Sequence, residues 1–183
     1  MSAARRAARI DKNMASWPKP LPVRDWMAKP AVTIEANATC REAVDSMKAR
    51  AIRHLPVVDR GRLVGILTDR DLRHVLLDPA LHEGLEPAAQ IVENRIVREV
   101  MTWAVIAVGP QTDLRQAARL MQEQKIGALP VVDAGRVVGI LTERDVLRAF
   151  AALTPQGVTR VKQLEVNESG DAYEYGFARP EFS

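Results

Sequence analysis

The feature that most limits the folds open to this chain is an internal repeat. The stretch LPVVDRGRLVGILTDRD at residues 55–71 returns 74 residues later as LPVVDAGRVVGILTERD at 129–145. The same register holds without a gap outside that stretch. Val23-Arg24 matches Val97-Arg98, Met27 matches Met101, Ala43 matches Ala117, and Met47 matches Met121. Two long copies do not make a solenoid, which stacks three or more short units. They predict two similar lobes related by a pseudo-twofold axis. The chain then divides into a basic arm at 1–20, a first repeat at 21–77, a linker at 78–94, a second repeat at 95–153 and a tail at 154–183. One repeat alone would struggle to bury enough apolar surface. Packing the copies together solves that problem and leaves clefts along their seam, a usual place for ligands.

Each copy carries the same order of local signals. A short lead-in (Val23–Ala28; Val97–Thr102) precedes an apolar, β-branched strand (Ala31–Ile34; Val105–Val108). A helix follows, opened by a capping-box pattern: Thr39 with Glu42 in copy one, Asp113 with Gln116 in copy two. Cys40, Ala43, Val44 and Met47 fall at i, i+3, i+4 and i+7, one buried helical stripe, and Leu114, Ala117, Ala118 and Met121 repeat it. Two strands come next, LPVVD and RLVGIL or RVVGIL, joined by Asp59-Arg60-Gly61 or Asp133-Ala134-Gly135, a spacing that reads as a tight hairpin. A second helix opens at Thr68 or Thr142. The expected fold class is therefore α/β (α+β), built from two β-α-β-β-α repeats.

Composition narrows the function classes. Of 183 residues, 47% are hydrophobic and 27% charged, which excludes a wholly disordered chain. The single cysteine, Cys40, cannot form an internal disulfide and reads as buried and inert. No run of 18 apolar residues reads as a membrane span, and the basic N-terminus lacks the apolar stretch of a secretory signal, so the cytoplasm is the expected location. The net charge of +3 is concentrated in the arm, where Arg5, Arg6, Arg9, Lys12 and Lys19 face only Asp11. A solvated arm accounts for that charge. Nucleic-acid binding through it is disfavoured, because aromatic residues are only 4% of the chain. His54, His74 and His82 have no metal-like spacing, and no nucleophile motif appears, so neither a catalytic residue nor a metal is expected.

The pattern with chemical content is T-x-x-D, Thr68 to Asp71 and Thr142 to Asp145. On spacing alone it is a capping box at a helix start. The same geometry presents free N–H groups to a phosphate, a Thr oxygen beside it, and a carboxylate able to accept ribose hydroxyls. The two readings are compatible, since the cap fixes the helix end that a ligand would use. Gly65 and Gly139 lie three residues earlier in a strand pattern, where glycine signals a close approach: either the other lobe or an adenine ring. Met27 and Met101 read as core. Trp26 and Trp103 read as apolar fill at lobe or dimer contacts rather than as stackers.

With LPVVD, VGILT and the following Arg-Asp present in both copies, the chain resembles the cystathionine-β-synthase (CBS) domain, present twice as a Bateman module. The resemblance covers the two repeats and leaves out the arm, linker and tail. It implies a regulatory module, not an enzyme, that binds an adenosyl ligand: AMP, ADP, ATP, S-adenosylmethionine or NAD(H). It also implies a disc-like homodimer that passes a signal to an effector protein. On the same basis Thr68, Asp71, Thr142 and Asp145 take the ribose-phosphate positions. Basic residues contact phosphate in some members just before the second strand. That makes Arg53 and His54 candidate phosphate ligands, where copy two has Gly127 and Ala128. Arg70 and Arg144 either reach a phosphate or pair with nearby acids. The expected consequence is two clefts of unequal preference. The rival expectation is a ligand-free interaction or dimerisation module whose T-x-x-D elements only cap helices.

Overall fold

The computed structural model describes residues 20–77 and 95–153, together with the backbone of Gln163–Val166 and Ala172–Tyr175. The arm at 1–19, the linker at 78–94 and most of the tail lie outside the described residues. The chain divides into two compact units, Met1–Phe150 and Ala151–Ser183.

In the first unit, copy one runs β1 (Ile34–Glu35), α1 (Cys40–Arg50), β2 (His54–Asp59), β3 (Arg62–Thr68) and α2 (Asp69–Leu77). A short helix α3 (Val97–Val100) opens copy two. It continues with α4 (Leu114–Gln124), β4 (Ala128–Asp133), β5 (Arg136–Thr142) and α5 (Glu143–Leu153). β1 lies parallel to β2, and β2 antiparallel to β3, in one sheet; β4 and β5 pair antiparallel in another. Asp59 pairs with Arg62 and Asp133 with Arg136, so the hairpin turns are Arg60-Gly61 and Ala134-Gly135. All four turn residues have positive φ, 52° and 75° then 47° and 79°, the conformation a two-residue hairpin needs to match strand twist. In the second unit, β6 (Gln163–Val166) and β7 (Ala172–Tyr175) pair antiparallel.

Local signals place the first helix of each copy. Thr39 accepts from Glu42 N at 3.1 Å while Glu42 Oε2 accepts from Thr39 N at 2.7 Å, a complete capping box. The matching box at Asp113 and Gln116 does not form. Asp113 caps α4 through Arg115 N at 2.9 Å, and the Arg115 guanidinium forks onto its two oxygens at 2.7 and 2.6 Å. The Arg115 bonds hold the Asp113 carboxyl down at about 2, and Leu21 N adds a weaker bond at 3.4 Å. Cys40, Ala43 and Met47 are buried on α1, and Leu114, Ala117 and Met121 on α4. Burial pushes the Cys40 thiol up to about 11, so it is protonated and inert at neutral pH.

The strand expected at Ala31–Ile34 is shorter and later, Ile34–Glu35, and its counterpart in copy two is a single bridge between Val108 and Val131. Each lead-in instead pairs with the other repeat. Val23 N donates to Thr112 O at 2.9 Å, Leu114 N to Leu21 O at 2.8 Å, and Ala28 and Ile140 exchange both backbone bonds at 2.9 and 3.0 Å. Reciprocally, Val97 N donates to Ala38 O at 2.9 Å, Cys40 N to Arg95 O at 2.8 Å, and Ile66 and Thr102 exchange bonds at 3.0 and 2.9 Å. Val97 and Met101 thereby complete the buried core of copy one beside Ile34, Leu55, Val57 and Leu67. The exchange removes apolar surface that neither copy could cover alone, which locks the two lobes into one unit.

Candidate functional site

β3 carries Thr68 to the first turn of α2, and the strand-to-helix corner brings Asp71 back over it. Asp71 Oδ2 accepts from Thr68 N at 2.8 Å and from Thr68 Oγ1 at 2.7 Å, while Asp71 N donates to Thr68 Oγ1 at 3.3 Å. In copy two, Asp145 Oδ2 accepts from Thr142 N at 2.9 Å and from Thr142 Oγ1 at 2.6 Å. Both T-x-x-D elements therefore hold their carboxylate by the capping geometry. The Thr68 hydroxyl proton is spent on Asp71. For Thr68 to donate to a phosphate, that proton must turn away, which frees carboxylate lone pairs for hydroxyl donors.

The corner opens on a cleft of about 540 Å³ between the repeats. Copy one lines it with Arg53, His54, Ile66, Thr68, Asp69, Arg70, Asp71 and Arg73. Copy two contributes Thr102, Ala104, Val105, Ile106, Lys125, Ile126, Gly127, Ala128 and Glu143. The volume falls within the usual range for small-molecule sites, and its walls combine an apolar surface (Ile66, Val105, Ile106, Ile126) with a few polar groups. Arg73 pairs with Asp69 at 3.1 Å. Arg53, Arg70 and Lys125 have no ion pair among the described residues, so the polar rim is rich in free cationic donors.

The pairs Arg53-His54 and Gly127-Ala128 do not serve separate clefts; they share this one. His54 pairs with Thr68 across the β2–β3 ladder and Ala128 with Thr142 across β4–β5, which brings both pairs to the seam. A methyl on Gly127 would sit 3.5 Å from both His54 Nε2 and Glu143 Oε2, so copy two supplies the space that the copy-one imidazole occupies. Burial pushes the His54 imidazole below its ordinary 6.5, Arg53 adds to the shift, and Asp69, Glu143 and Asp71 oppose it. His54 is thus neutral at pH 7, an N–H donor rather than a charge, and Arg53 carries the positive charge of the pair.

Gly65 and Gly139 face methionines. A Cβ at Gly65 would run into the Met101 side chain, and one at Gly139 into Met27 and the Ala28 carbonyl oxygen. Close lobe packing accounts for both glycines. Thr142, Arg144 and Asp145, at the strand-to-helix corner of copy two, are not among the residues that line the 540 Å³ cleft, although Glu143 between them is. Trp103 is exposed and Trp26 half-buried. Sequence reasoning missed Lys125, Ile126, Glu143 and the Thr102–Ile106 segment. Glu143 was findable, as the repeat partner of Asp69 beside the conspicuous threonine. The others enter through the lead-in exchange and the end of α4. Among the described residues no group of three His, Cys, Asp or Glu side chains could hold a metal, and no helix is long and apolar enough to cross a membrane.

Paired β-α-β-β-α lobes with a cleft at their seam, each with a T-x-x-D helix start, define a tandem-repeat module. The CBS domain family model matches residues 23–78 and 97–152, and the chain belongs to that family. It is 36% identical over 127 residues to a CBS domain-containing protein of Dictyostelium discoideum, covering 68% of this chain and 88% of that protein. The CBS domain pair of protein MJ0100, solved with 5′-methylthioadenosine and S-adenosyl-L-methionine, superposes with a TM-score of 0.64 at 31% identity, covering 74% of this chain and 100% of that one. CBSX2, solved with AMP, gives 0.61 at 28% identity, over 73% of this chain and 98% of that one.

Proposed function

We propose that this protein is a regulatory module that binds an adenosyl ligand in the copy-one cleft and signals to a partner by rearranging its lobes or its dimer. The observation that carries the reading is the Thr68–Asp71 corner opening on a 540 Å³ cleft that also holds Arg53, Arg70 and Lys125. Ile66, Val105, Ile106 and Ile126 take the adenine, Asp71 accepts ribose hydroxyls, and the α2 N-terminus with its neighbouring cations takes phosphate. The cleft is built from both repeats, so a ligand stabilises the lobe arrangement that closes on it, by as much as its affinity differs between states. The complexes of MJ0100 and CBSX2 support this ligand class. The module catalyses no reaction on this reading. On this reading a second copy packs on α5 to give a homodimer, supported by the exposure of Leu147 and Phe150 there, 67% and 57%.

Isothermal titration calorimetry against AMP, ADP, ATP, S-adenosylmethionine and NADH tests the proposal. At least one should bind with micromolar or tighter affinity and lose its heat signal in Asp71→Ala. Silence from the whole panel would leave a ligand-free dimerisation module, with both T-x-x-D elements serving only as caps.

A further inference from the structure

The two T-x-x-D carboxylates are not in the same state. Asp71 Oδ2 is engaged by Thr68, and Asp71 Oδ1 accepts no bond among the described residues. Asp145 is engaged on both oxygens: Thr142 holds Oδ2, and the Arg148 guanidinium lies 3.0 Å from Oδ1. The same guanidinium nitrogen donates to the Trp26 carbonyl oxygen at 2.6 Å. Trp26 belongs to the lead-in that crosses from the start of copy one, so Arg148 joins the α5 carboxylate to a segment 122 residues away in the chain. The Asp145 side chain keeps only 10% of its surface exposed. Copy one has no counterpart among the described residues, because the residue in the matching repeat position is His74, which is exposed and makes no hydrogen bond or ion pair with Asp71.

Resting on the adenosyl-ligand reading above, we infer that Arg148 is an internal occupant of the copy-two carboxylate, so that the chain has one standing nucleotide site, at Asp71, and one latched site, at Asp145. The chemistry is a competition between donors. A ribose presents two hydroxyl donors to a carboxylate, and Arg148 already presents a charged donor to the same oxygen. A charge-assisted hydrogen bond outcompetes a neutral hydroxyl at the same acceptor. A ligand entering at Asp145 must move Arg148 aside, and in doing so it releases the Trp26 carbonyl and loosens α5 from the crossing lead-in. Occupancy of the second site is thereby tied to the Arg148–Trp26 contact, which occupancy of the first leaves in place.

Calorimetric titration of AMP into the full-length chain and into Arg148→Ala separates the outcomes, with thermal melts confirming that each variant folds. The native protein should bind one AMP per chain, and Asp71→Asn should abolish that site. Arg148→Ala should bind a second AMP, tightened about tenfold over the native second site, the worth of one charge-assisted bond to a carboxylate. That second site should persist in the Arg148→Ala, Asp71→Asn double variant. Two equal sites in the native chain, or one site in Arg148→Ala, would overturn the latch while leaving the ligand reading intact. If neither protein binds AMP, or any other member of the adenosyl panel, the ligand reading itself fails and the latch falls with it.

Discussion

The interlock of glycine and methionine across the two repeats makes a quantitative prediction about stability. Gly65 lies in β3 and Gly139 at the same place in β5, both buried. The nearest atoms that a methyl on Gly65 would meet all belong to the Met101 side chain, with Cγ at 3.0 Å and Cε at 3.1 Å beyond the sulfur. A methyl on Gly139 would meet Met27, with Cε at 3.0 Å, and also the Ala28 carbonyl oxygen at 3.0 Å. That oxygen accepts from Ile140 N at 3.0 Å, so it cannot retreat without stretching a bridge between the lobes. Overpacking costs ~1–3 kcal/mol, at the low end where a flexible methionine can yield. Replacing glycine by alanine offsets about 0.4–1 kcal/mol of this through the unfolded chain. Gly65→Ala should therefore destabilise by under ~1 kcal/mol and Gly139→Ala by about 2 kcal/mol. For a chain of this size those values lower Tm by roughly 1–4 °C and 4–8 °C respectively. Differential scanning calorimetry and urea melts give both numbers, and a Gly65→Ala, Met101→Ala double variant tests whether the clash is with that side chain. Equal losses at the two glycines, or a larger loss at Gly65, would refute the argument that backbone at Gly139 resists where a side chain at Gly65 gives way.

Four further outcomes are expected. Asp71→Ala should weaken AMP at least tenfold in calorimetry, since hydrogen bonds to charged groups contribute about 1.5–3 kcal/mol; unchanged binding by a folded variant would remove Asp71 from the site. Arg53→Ala with His54→Ala should weaken ATP much more than adenosine, and the difference should shrink in high salt because Arg53 is exposed; equal losses for the two ligands would contradict a phosphate role. The lowered His54 pKa also fixes a pH trend. Between the depressed folded value and 6.5 the unfolded chain binds more protons, so stability falls as pH drops below 6.5, and His54→Gln should flatten that part of the stability curve. Light scattering should give about twice the chain mass of 20.3 kDa, and Leu147→Asp with Phe150→Asp should return a folded monomer; a monomeric native protein at micromolar concentration would exclude signalling through a dimer.

Local chemistry is what the sequence by itself determined. The 74-residue repeat set the number of lobes, the alternation of stripe and strand set β-α-β-β-α, and Thr39 with Glu42 set a helix start that the structure reproduces bond for bond. The T-x-x-D elements were legible because a cap is decided by residues three apart. Only the tertiary structure decided which copy each lead-in packs on. Val23–Met27 and Val97–Met101 are near-equivalent by sequence, and burial against the other repeat, not any local preference, chooses the exchange. The same crossing presses Met101 on Gly65 and Met27 on Gly139, and it carries Thr102–Ile106 into the cleft. It also sets the Trp26 carbonyl in reach of Arg148, so two carboxylates identical in motif end in different states. A repeat encodes each lobe twice over, but the contacts between lobes join residues far apart in the chain, and no spacing within either copy records them.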